Sequence, residues 1–302
     1  MFIYTDSIRR CNMNQIIEEI IAGSFDLHVH TYPDSSRERR TDAIEAGKYA
    51  YEYGMGGFVL KSHDYPTGPL TMMLNQIYPG IYVGGGIVLN HSIGGLNPRA
   101  VEKFIPLNTK IVWMPTRDAQ NTSTQSQITL LNPEGNLKEE VIEILRLISN
   151  ADIAIASGHV SSTEAIALFQ KAKSMNIARM IATHPYGHSS ESEIITIIET
   201  GAKLEFTFMA VMPISPTVER DGQFVLSPKE IANQITKWGP ENCIVTTDFG
   251  QWYNPHPAEG MRLAISNLLH SGLDIESVQM VVRDNPRWLL GIEKFTPSQE
   301  IQ

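Results

Sequence analysis

Short apolar runs alternate with amphipathic segments along almost the whole chain. Most of the apolar runs are β-branched or apolar throughout, which is typical of parallel strands that are buried on both faces of a sheet. We predict eight such strands, at Ser24–His30, Gly57–His63, Ile81–Leu89, Lys110–Pro115, Asp152–His159, Arg179–His184, Lys203–Phe208 and Cys243–Asp248.

The segments between these runs carry the signals of helices. Thr41–Tyr53 opens on a Thr-Asp cap and closes at Gly54, whereas Ser161–Asn176 opens on Ser-Ser-Thr-Glu, which is close to a capping box. A helix at Gln15–Ile21 precedes the first strand. The other predicted helices are Thr67–Ile77, Asn97–Ile105, Leu137–Ser149, Glu191–Thr200, Ser227–Trp238, Ala258–His270 and Ile275–Leu290.

Eight strand–helix units in a chain of 302 residues predict an α/β fold of one particular kind. Strands separated by helices indicate right-handed βαβ units, and eight of them fit a closed (β/α)8 TIM barrel. A doubly wound open sheet is the alternative, but no Gly-x-Gly-x-x-Gly follows the first strand. We therefore predict a single domain over residues 1–302, with the barrel at about 24–291, a short N-terminal helix, an extra C-terminal helix and a tail at 292–302.

Composition narrows the class of protein further. The chain has 33 acidic and 24 basic residues and a formal net charge of −9, and its one basic cluster, Arg37–Arg40, is interpreted as a solvated loop. Cys11 and Cys243 are far apart, which favours a reducing compartment, and no apolar run suits a membrane span or a signal peptide. We expect a cytoplasmic protein that acts on a small molecule, without a nucleic-acid or membrane partner; homo-oligomer formation stays open.

Histidines collect at the ends of the predicted strands. Five of them fall at or beside strand C-termini, namely His28, His30, His63, His159 and His184. Asp248 holds the same place on the eighth strand, and these ends form the active-site face of a (β/α)8 barrel. Residues two apart on a strand point the same way, so His28 and His30 can bind one metal together. Imidazole and carboxylate are the ligands expected of Zn²⁺, with Mn²⁺, Fe²⁺ or Ni²⁺ as alternatives.

Other polar residues near the strand ends are candidates for catalysis and substrate binding. Lys61 is expected to form a salt bridge at the barrel mouth, to contact the substrate or, after carboxylation by CO₂, to bridge two metals. His63 is a metal ligand or a hydrogen-bond donor to the reacting oxygen. Glu205 is an interior barrel charge or a partner of a ligand histidine. Arg117 and His91, which follow the fourth and third strands, are candidates for binding an anionic part of the substrate.

Five motifs, taken in this order, resemble the amidohydrolase superfamily. They are Phe25-Asp26-Leu27-His28-Val29-His30, Gly158-His159, Thr183-His184-Pro185, Thr247-Asp248-Phe249-Gly250 and Asn285-Pro286-Arg287-Trp288-Leu289-Leu290-Gly291. The resemblance covers nearly the whole chain and points to a divergent branch of that superfamily. It implies a (β/α)8 barrel with one or two divalent metals, in which a metal-activated water cleaves an amide, ester, lactone or phosphoester.

The resemblance also implies roles for single residues. His28, His30 and Asp248 would bind the more buried metal, whereas His159 and His184 would bind the more exposed one. Asp248 would in addition be the base that takes a proton from the attacking water and delivers it to the leaving group. His63 or Lys61 would help to stabilise the oxygen that gains charge.

One departure concerns the bridge between the metals. The superfamily often bridges them with a carboxylated lysine or a glutamate on the fourth strand, and Lys110–Pro115 ends without either residue. Lys61 on the second strand is the available substitute, and a site with a single metal is the alternative.

Three further functions stay open at this point. A lyase or decarboxylase could use the same metal site without hydrolysis, and a metal-stabilised binding protein could be catalytically silent. His28-Val29-His30-Thr31 followed by His63-Asp64 also resembles the PHP phosphoesterases, which build a three-metal site in a related barrel with one strand fewer. The eight strand units argue against that third alternative.

Overall fold

Eight parallel strands form one sheet in which each strand pairs with the next along the chain. The computed structural model describes residues 3–122, 127–212 and 225–293, with side chains from residue 12 onward. The strands are β1 (Phe25–Val29), β2 (Gly57–Leu60), β3 (Tyr82–Val88), β4 (Thr109–Trp113), β5 (Ala154–Ala156), β6 (Met180–Ala182), β7 (Lys203–Thr207) and β8 (Cys243–Thr246). The order confirms the predicted barrel of eight strands.

Backbone bonds between the ends of β8 and β1 close the barrel. Asp248 donates its N–H to the carbonyl of His28 at 2.9 Å, and His30 donates to Phe249 at 2.8 Å. The loop after β8 can approach this closely because Gly250 has no side chain: a Cβ there would lie 2.0 Å from the His30 carbonyl oxygen. The same contacts therefore close the barrel and bring the first and last predicted ligands together.

Helices lie between the strands and cover the outside of the sheet. They are α1 (Ile3–Ile21), α2 (Ala43–Glu52), α3 (Gly68–Ile77), α4 (Pro98–Phe104), α5 (Glu139–Ala151), α6 (Ser162–Ser174), α7 (Glu191–Thr200), α8 (Pro228–Trp238), α9 (Pro257–His270), α10 (Ile275–Gln279) and α11 (Asn285–Leu289). The predicted capping box is confirmed at α6, where Ser161 and Glu164 exchange side-chain and backbone hydrogen bonds. At α2 the capping side chain is Asp42 rather than Thr41.

Two predicted helices have different bounds in the structure. Helix α1 begins at Ile3, well before the predicted start at Gln15. The prediction missed this start because the polar segment between the two residues has no apolar stripe that indicates a helix. The predicted helix Ile275–Leu290 is interrupted by a π-helical turn at Met280–Asp284. Pro286 follows that turn and has no N–H to donate to it, which favours a local change of helical register.

Apolar residues form a core in two layers. The outer layer packs the helices against the sheet, and the inner layer fills the barrel, with Phe25, Leu27 and Trp113 as large members. Leu289 and Leu290 join the inner layer from the C-terminal helix, so α11 closes the floor, by which we mean the N-terminal ends of the strands. The opposite end, at the C-terminal ends of the strands, is the mouth, where the predicted site residues lie.

Two further features bear on the sequence analysis. Cys243 is a free, buried thiol, whereas the side chain of Cys11 and most of the predicted tail lie outside the described residues. Over the described ranges, no helix combines the length and apolar character that crossing a bilayer requires.

Candidate metal centre

The ends of β1 and β8 bring three of the predicted ligands together. The Nε2 atoms of His28 and His30 lie 3.2 and 3.3 Å from Oδ1 of Asp248. One ligand atom from each of the three residues can be chosen so that all lie within 4.8 Å of one another. Two ligands bound tetrahedrally to one ion at about 2.1 Å lie about 3.4 Å apart. The distances are therefore those expected of ligands that share one cation.

Glu205 holds the opposite nitrogen of His28. Nδ1 of His28 lies 2.9 Å from Oε1 of Glu205, which also accepts from the Thr246 hydroxyl. When Glu205 is ionised it can only accept, which places the proton on Nδ1 and leaves the lone pair of Nε2 for a metal. Burial raises the pKa of Glu205, whereas Lys61 and the bond from Thr246 favour the ionised form.

The ligand histidines are neutral at physiological pH. Burial lowers the pKa of His28 to about 3 and lowers the pKa of His30 well below its ordinary value. Neutral imidazole is the form that binds metals. Two neutral imidazoles and a carboxylate at these distances fit a divalent cation in both chemistry and spacing.

A local irregularity in β1 aims His28 into the barrel. The pairing of β1 with β2 changes register between Asp26 and Val29, and both Leu27 and His28 face the interior. The carboxylate of Asp26 accepts the N–H of His28 and the N–H and hydroxyl of Thr247. Burial raises the pKa of Asp26 to about 7. Asp26 thus ties β1 to β8 directly beneath the ligands.

Lys61 reaches the same site from the end of β2. Its Nζ lies 2.9 Å from Nε2 of His28 and 5.2 Å from the centre of the Trp113 ring. Burial lowers the pKa of Lys61 to about 8. A lone pair cannot serve an ammonium group and a metal at once. A metal on His28 therefore requires that Lys61 moves away or itself becomes a neutral or carboxylated ligand.

His159 and His184 form a neighbouring pair. Their ring centres lie 4.9 Å apart, and that of His184 lies 6.4 Å from that of His28. Burial lowers the pKa of His184 to about 4 and that of His159 well below its ordinary value. Within the described ranges, neither residue joins a group of three ligands as close as the first. A cavity of about 120 Å³ adjoins the pair, with Thr122 and Ser162 among its lining residues.

The backbone is strained where two of these side chains are aimed. Asp248 has a φ of 55° and His184 a φ of 28°, a region that costs a residue with a Cβ on the order of 1–3 kcal/mol. Such strain persists where the surrounding structure imposes it, and it clusters at functional sites. At Gly158, just before His159, a Cβ would lie 2.3 Å from the Met114 carbonyl oxygen.

The remaining predicted residues follow β2, β3 and β4 at the mouth. His63 stacks on His30 with 4.9 Å between ring centres, and its Nδ1 lies 2.8 Å from the Thr116 hydroxyl. Arg117 follows Thr116 and is mostly buried, with 27% of its side chain exposed. His91 is exposed on the turn after β3, and its backbone N–H donates to Asp118 at 2.7 Å. Of the predicted loop 119–127, Asn121 and Thr122 line the cavity beside His159 and His184, and residues 123–126 are outside the described residues.

The cluster Arg37–Arg40 was interpreted as a solvated loop, and Arg37, Glu38 and Arg40 are exposed. Arg39 departs from this interpretation, because its side chain is only 2% exposed and forms an ion pair of 2.6 Å with Asp34. Asp34 lies on the same loop, five residues earlier. An acidic residue at this distance could have indicated an ion pair, but the prediction considered only the run of basic residues. No sequence signal joins Glu205 to His28, because 177 residues separate them.

Comparison with known sequences identifies a family. Residues 23–205 match the model of DUF6282, which is described as a family of unknown function. This range includes all five candidate histidine ligands and excludes Asp248. No curated protein matches the chain.

Solved structures with the same barrel are enzymes by their names. An amidohydrolase from Pseudomonas aeruginosa has a TM-score of 0.64 at 13% identity, over 92% of this chain and 98% of that one. A probable dipeptidase from the same organism has a TM-score of 0.63 at 11% identity, over 93% and 98%. An organophosphorus hydrolase from Deinococcus radiodurans has 0.58 at 14%, over 89% and 93%. At these identities the likeness confirms the expected (β/α)8 fold.

Proposed function

The chain belongs to the DUF6282 family, and we propose that it is a metal-dependent hydrolase with the site at the mouth of its barrel. The observation that carries the proposal is the convergence of His28 Nε2, His30 Nε2 and Asp248 Oδ1. The names of the similar structures, an amidohydrolase, a dipeptidase and an organophosphorus hydrolase, support hydrolysis as the class of reaction.

His28, His30 and Asp248 would hold the ion, and zinc is the metal that this ligand set favours. Such an ion, when bound, supplies Lewis acidity and lowers the pKa of a water towards about 7. We propose that His159 and His184 would bind a second ion, if one is present. Trp113 ends β4 where a bridging residue would be expected, so we propose one well-defined ion first.

Asp248 is the residue that moves the proton. It is 15% exposed, whereas His28 and His30 are almost completely buried, so its carboxylate is the member of the group that reaches the open mouth. Asp248 accepts a proton as water attacks the substrate and donates it to the leaving group. Its backbone bond to His28 fixes it relative to the other two ligands.

His63 and Lys61 stabilise the oxygen that gains charge. Thr116 and the stacking with His30 fix the ring of His63. Lys61 is within hydrogen-bond reach of the ligand cluster, as its contact with His28 shows. With a pKa of about 8, Lys61 can donate a proton near neutral pH or react with CO₂ in its neutral form. Carboxylated Lys61 would be the bridging ligand if two ions bind.

The test combines metal content with a search for turnover. Purified protein is analysed for bound metals, stripped with a chelator, reloaded with zinc, manganese, iron or nickel, and offered amides, esters, lactones and phosphoesters. We expect hydrolysis that disappears on chelation and returns with a divalent metal. Incorporation of ¹⁸O from water into the product is expected for a hydrolase.

The same experiment separates the alternatives. A lyase or decarboxylase would depend on the metal and leave its product free of ¹⁸O from water. A silent binding protein would hold a metal tightly and turn over none of the substrates. Three metals per chain with activity confined to phosphoesters would favour the PHP-like alternative. A chain that binds no divalent metal at all would contradict the proposal.

A further inference from the structure

Three arginines and two aspartates lie along one side of the mouth, in the loops after β1, β2 and β4. We call this group the arginine rim; its members are Asp34, Arg37, Arg39, Asp64 and Arg117. Their formal net charge of +1, from three arginines and two aspartates, contrasts with the net charge of −9 of the whole chain. The rim adjoins His30 and His63, because Asp64 follows His63 in the chain and Arg117 follows the threonine that holds it.

Arg117 has donors to spare. Its guanidinium lies 3.6 Å from Oδ1 of Asp64, which is longer than a hydrogen bond, and among the described residues it forms no hydrogen bond. A guanidinium carries five N–H donors. The side chain is 27% exposed, and among the described residues none of its nitrogens is a buried atom without a partner, so these donors are open to an acceptor that enters the mouth from outside the chain.

Asp64 is held away from Arg117 by other partners. The hydroxyls of Ser35 and Ser36 donate to its Oδ2 at 3.0 and 2.6 Å. Both serines belong to the loop after β1, so this loop fixes the carboxylate and leaves the fork of Arg117 directed elsewhere. The contact between Asp64 and Arg117 is therefore long, and the carboxylate of Asp64 is shared with two serine hydroxyls, so Asp64 neutralises Arg117 only in part.

Arg39 strengthens the positive potential from the side of β8. Its Nε and Nη2 both donate to Oδ2 of Asp34, at 2.8 and 2.6 Å, which locks the guanidinium in place. Its backbone forms a bridge with Gln251, three residues beyond Asp248.

We propose that Arg117, supported by Arg39, binds an anionic group of the substrate, a carboxylate or a phosphate, next to the bond that is cleaved. The inference rests on the proposed hydrolase function and names its substrate class. A planar guanidinium donates two parallel hydrogen bonds to either group. The subsite follows β4, next to the Thr116 hydroxyl that holds the ring of His63. An anion bound there would lie near His63, whose ring stacks on that of His30.

Binding of small probes tests the subsite without any need for turnover. Succinate, inorganic phosphate and neutral succinamide are titrated calorimetrically into the full chain, both metal-free and zinc-loaded. We expect one of the two anions to bind and succinamide not to bind. Arg117→Gln is expected to weaken that anion about 10- to 100-fold in both metal states, since a charged hydrogen bond contributes about 1.5–3 kcal/mol. The anion that loses more identifies the group.

Two further variants protect the test. Asp64→Asn removes a competing carboxylate and is expected to tighten anion binding, a gain that misfolding cannot imitate. Arg146→Gln is the matched control, because Arg146 is an exposed arginine that also contacts a carboxylate, Glu139, at 3.3 Å. It is expected to leave every probe unchanged.

The outcomes are distinct. Equal anion binding by wild type and Arg117→Gln would overturn the subsite, and so would succinamide that binds as tightly as succinate. Anion binding that requires the metal and ignores Arg117 would overturn it as well, because the metal alone would then recognise the anion. Arginine-dependent binding in a chain that hydrolyses nothing would support the subsite and contradict the proposed hydrolase.

Discussion

Ionisable side chains are paired or stacked at one end of the barrel, whereas at the other end some of their buried atoms have no partner in the ranges that the structure describes. At the floor, Arg179 pairs with Asp152 at 2.8 Å, and its guanidinium lies 5.6 Å from the centre of the Trp288 ring. Lys203 lies 5.2 Å from the same ring. Asn285 donates to two carbonyl oxygens, those of Pro240 and Cys243. The charges named here are therefore paired or stacked, and the C-terminal residues close the floor.

At the mouth, some buried atoms of ionisable side chains have no hydrogen-bond partner within the described part of the chain. Among the described residues, Nδ1 of His30 and Oε2 of Glu205 are buried without a hydrogen-bond partner. In a barrel of this kind the floor serves stability and the mouth serves function. The difference predicts that substitutions at one end change metal binding and turnover, and at the other end stability alone.

Asp248→Asn is expected to have the largest effect. The amide keeps an oxygen ligand but cannot accept the proton, so turnover should fall by about 10³-fold or more while a metal, held more weakly, is retained. The rate is measured with the substrate found in the screen, alongside metal content. Asp152→Asn, at the floor, is the control and should keep full turnover. A fully active Asp248→Asn would show that another residue is the base.

Glu205→Gln is expected to lower the affinity for zinc, which tests the mouth without removing a metal ligand. The amide no longer demands a proton on Nδ1 of His28, and the affinity for zinc should fall about 10- to 100-fold. Competition with a chelating dye measures it. Glu164→Gln is matched, because Glu164 is also a buried glutamate and accepts from Leu130 N–H at 2.7 Å. It should lower stability and leave zinc affinity alone. Equal zinc affinities of both variants would remove Glu205 from the site.

Asn285→Ala tests the floor and should have the smallest effect on function. Two carbonyl oxygens lose their donor, so the free energy of unfolding should fall by about 1–3 kcal/mol. Zinc affinity and turnover should stay as in the wild type. Chemical denaturation and the dye assay measure the two quantities on the same sample. Lost zinc affinity at unchanged stability would break the division between the two ends.

The barrel could be predicted because each strand–helix unit has a local sequence pattern of its own. The alternation of apolar runs with capped helices required no knowledge of distant contacts, and α7 and the cap of α8 lie where they were predicted. The strand ends were less accurate, since β5 and β6 span three residues each. Their histidines follow the strands, but the barrel still gathers them at the mouth.

The interior of the site could not be predicted to the same depth. His28 and His30 share a strand, and Asp248 occupies the corresponding end of another, so their convergence follows from topology. The contact of Lys61 with His28 depends on a register shift within β1, which the sequence does not reveal. Arg39 was misjudged because a short basic run usually faces water, whereas here a carboxylate five residues away pairs with it.

Anomalous diffraction from zinc-loaded crystals tests the central claim most directly. The account predicts a zinc peak at about 2.1 Å from the Nε2 atoms of His28 and His30 and close to the carboxylate of Asp248. It also predicts that Lys61 has left its hydrogen bond with His28 or has become a ligand itself. A zinc-loaded crystal with the bond between Lys61 and His28 intact, and with zinc bound elsewhere, would contradict the account.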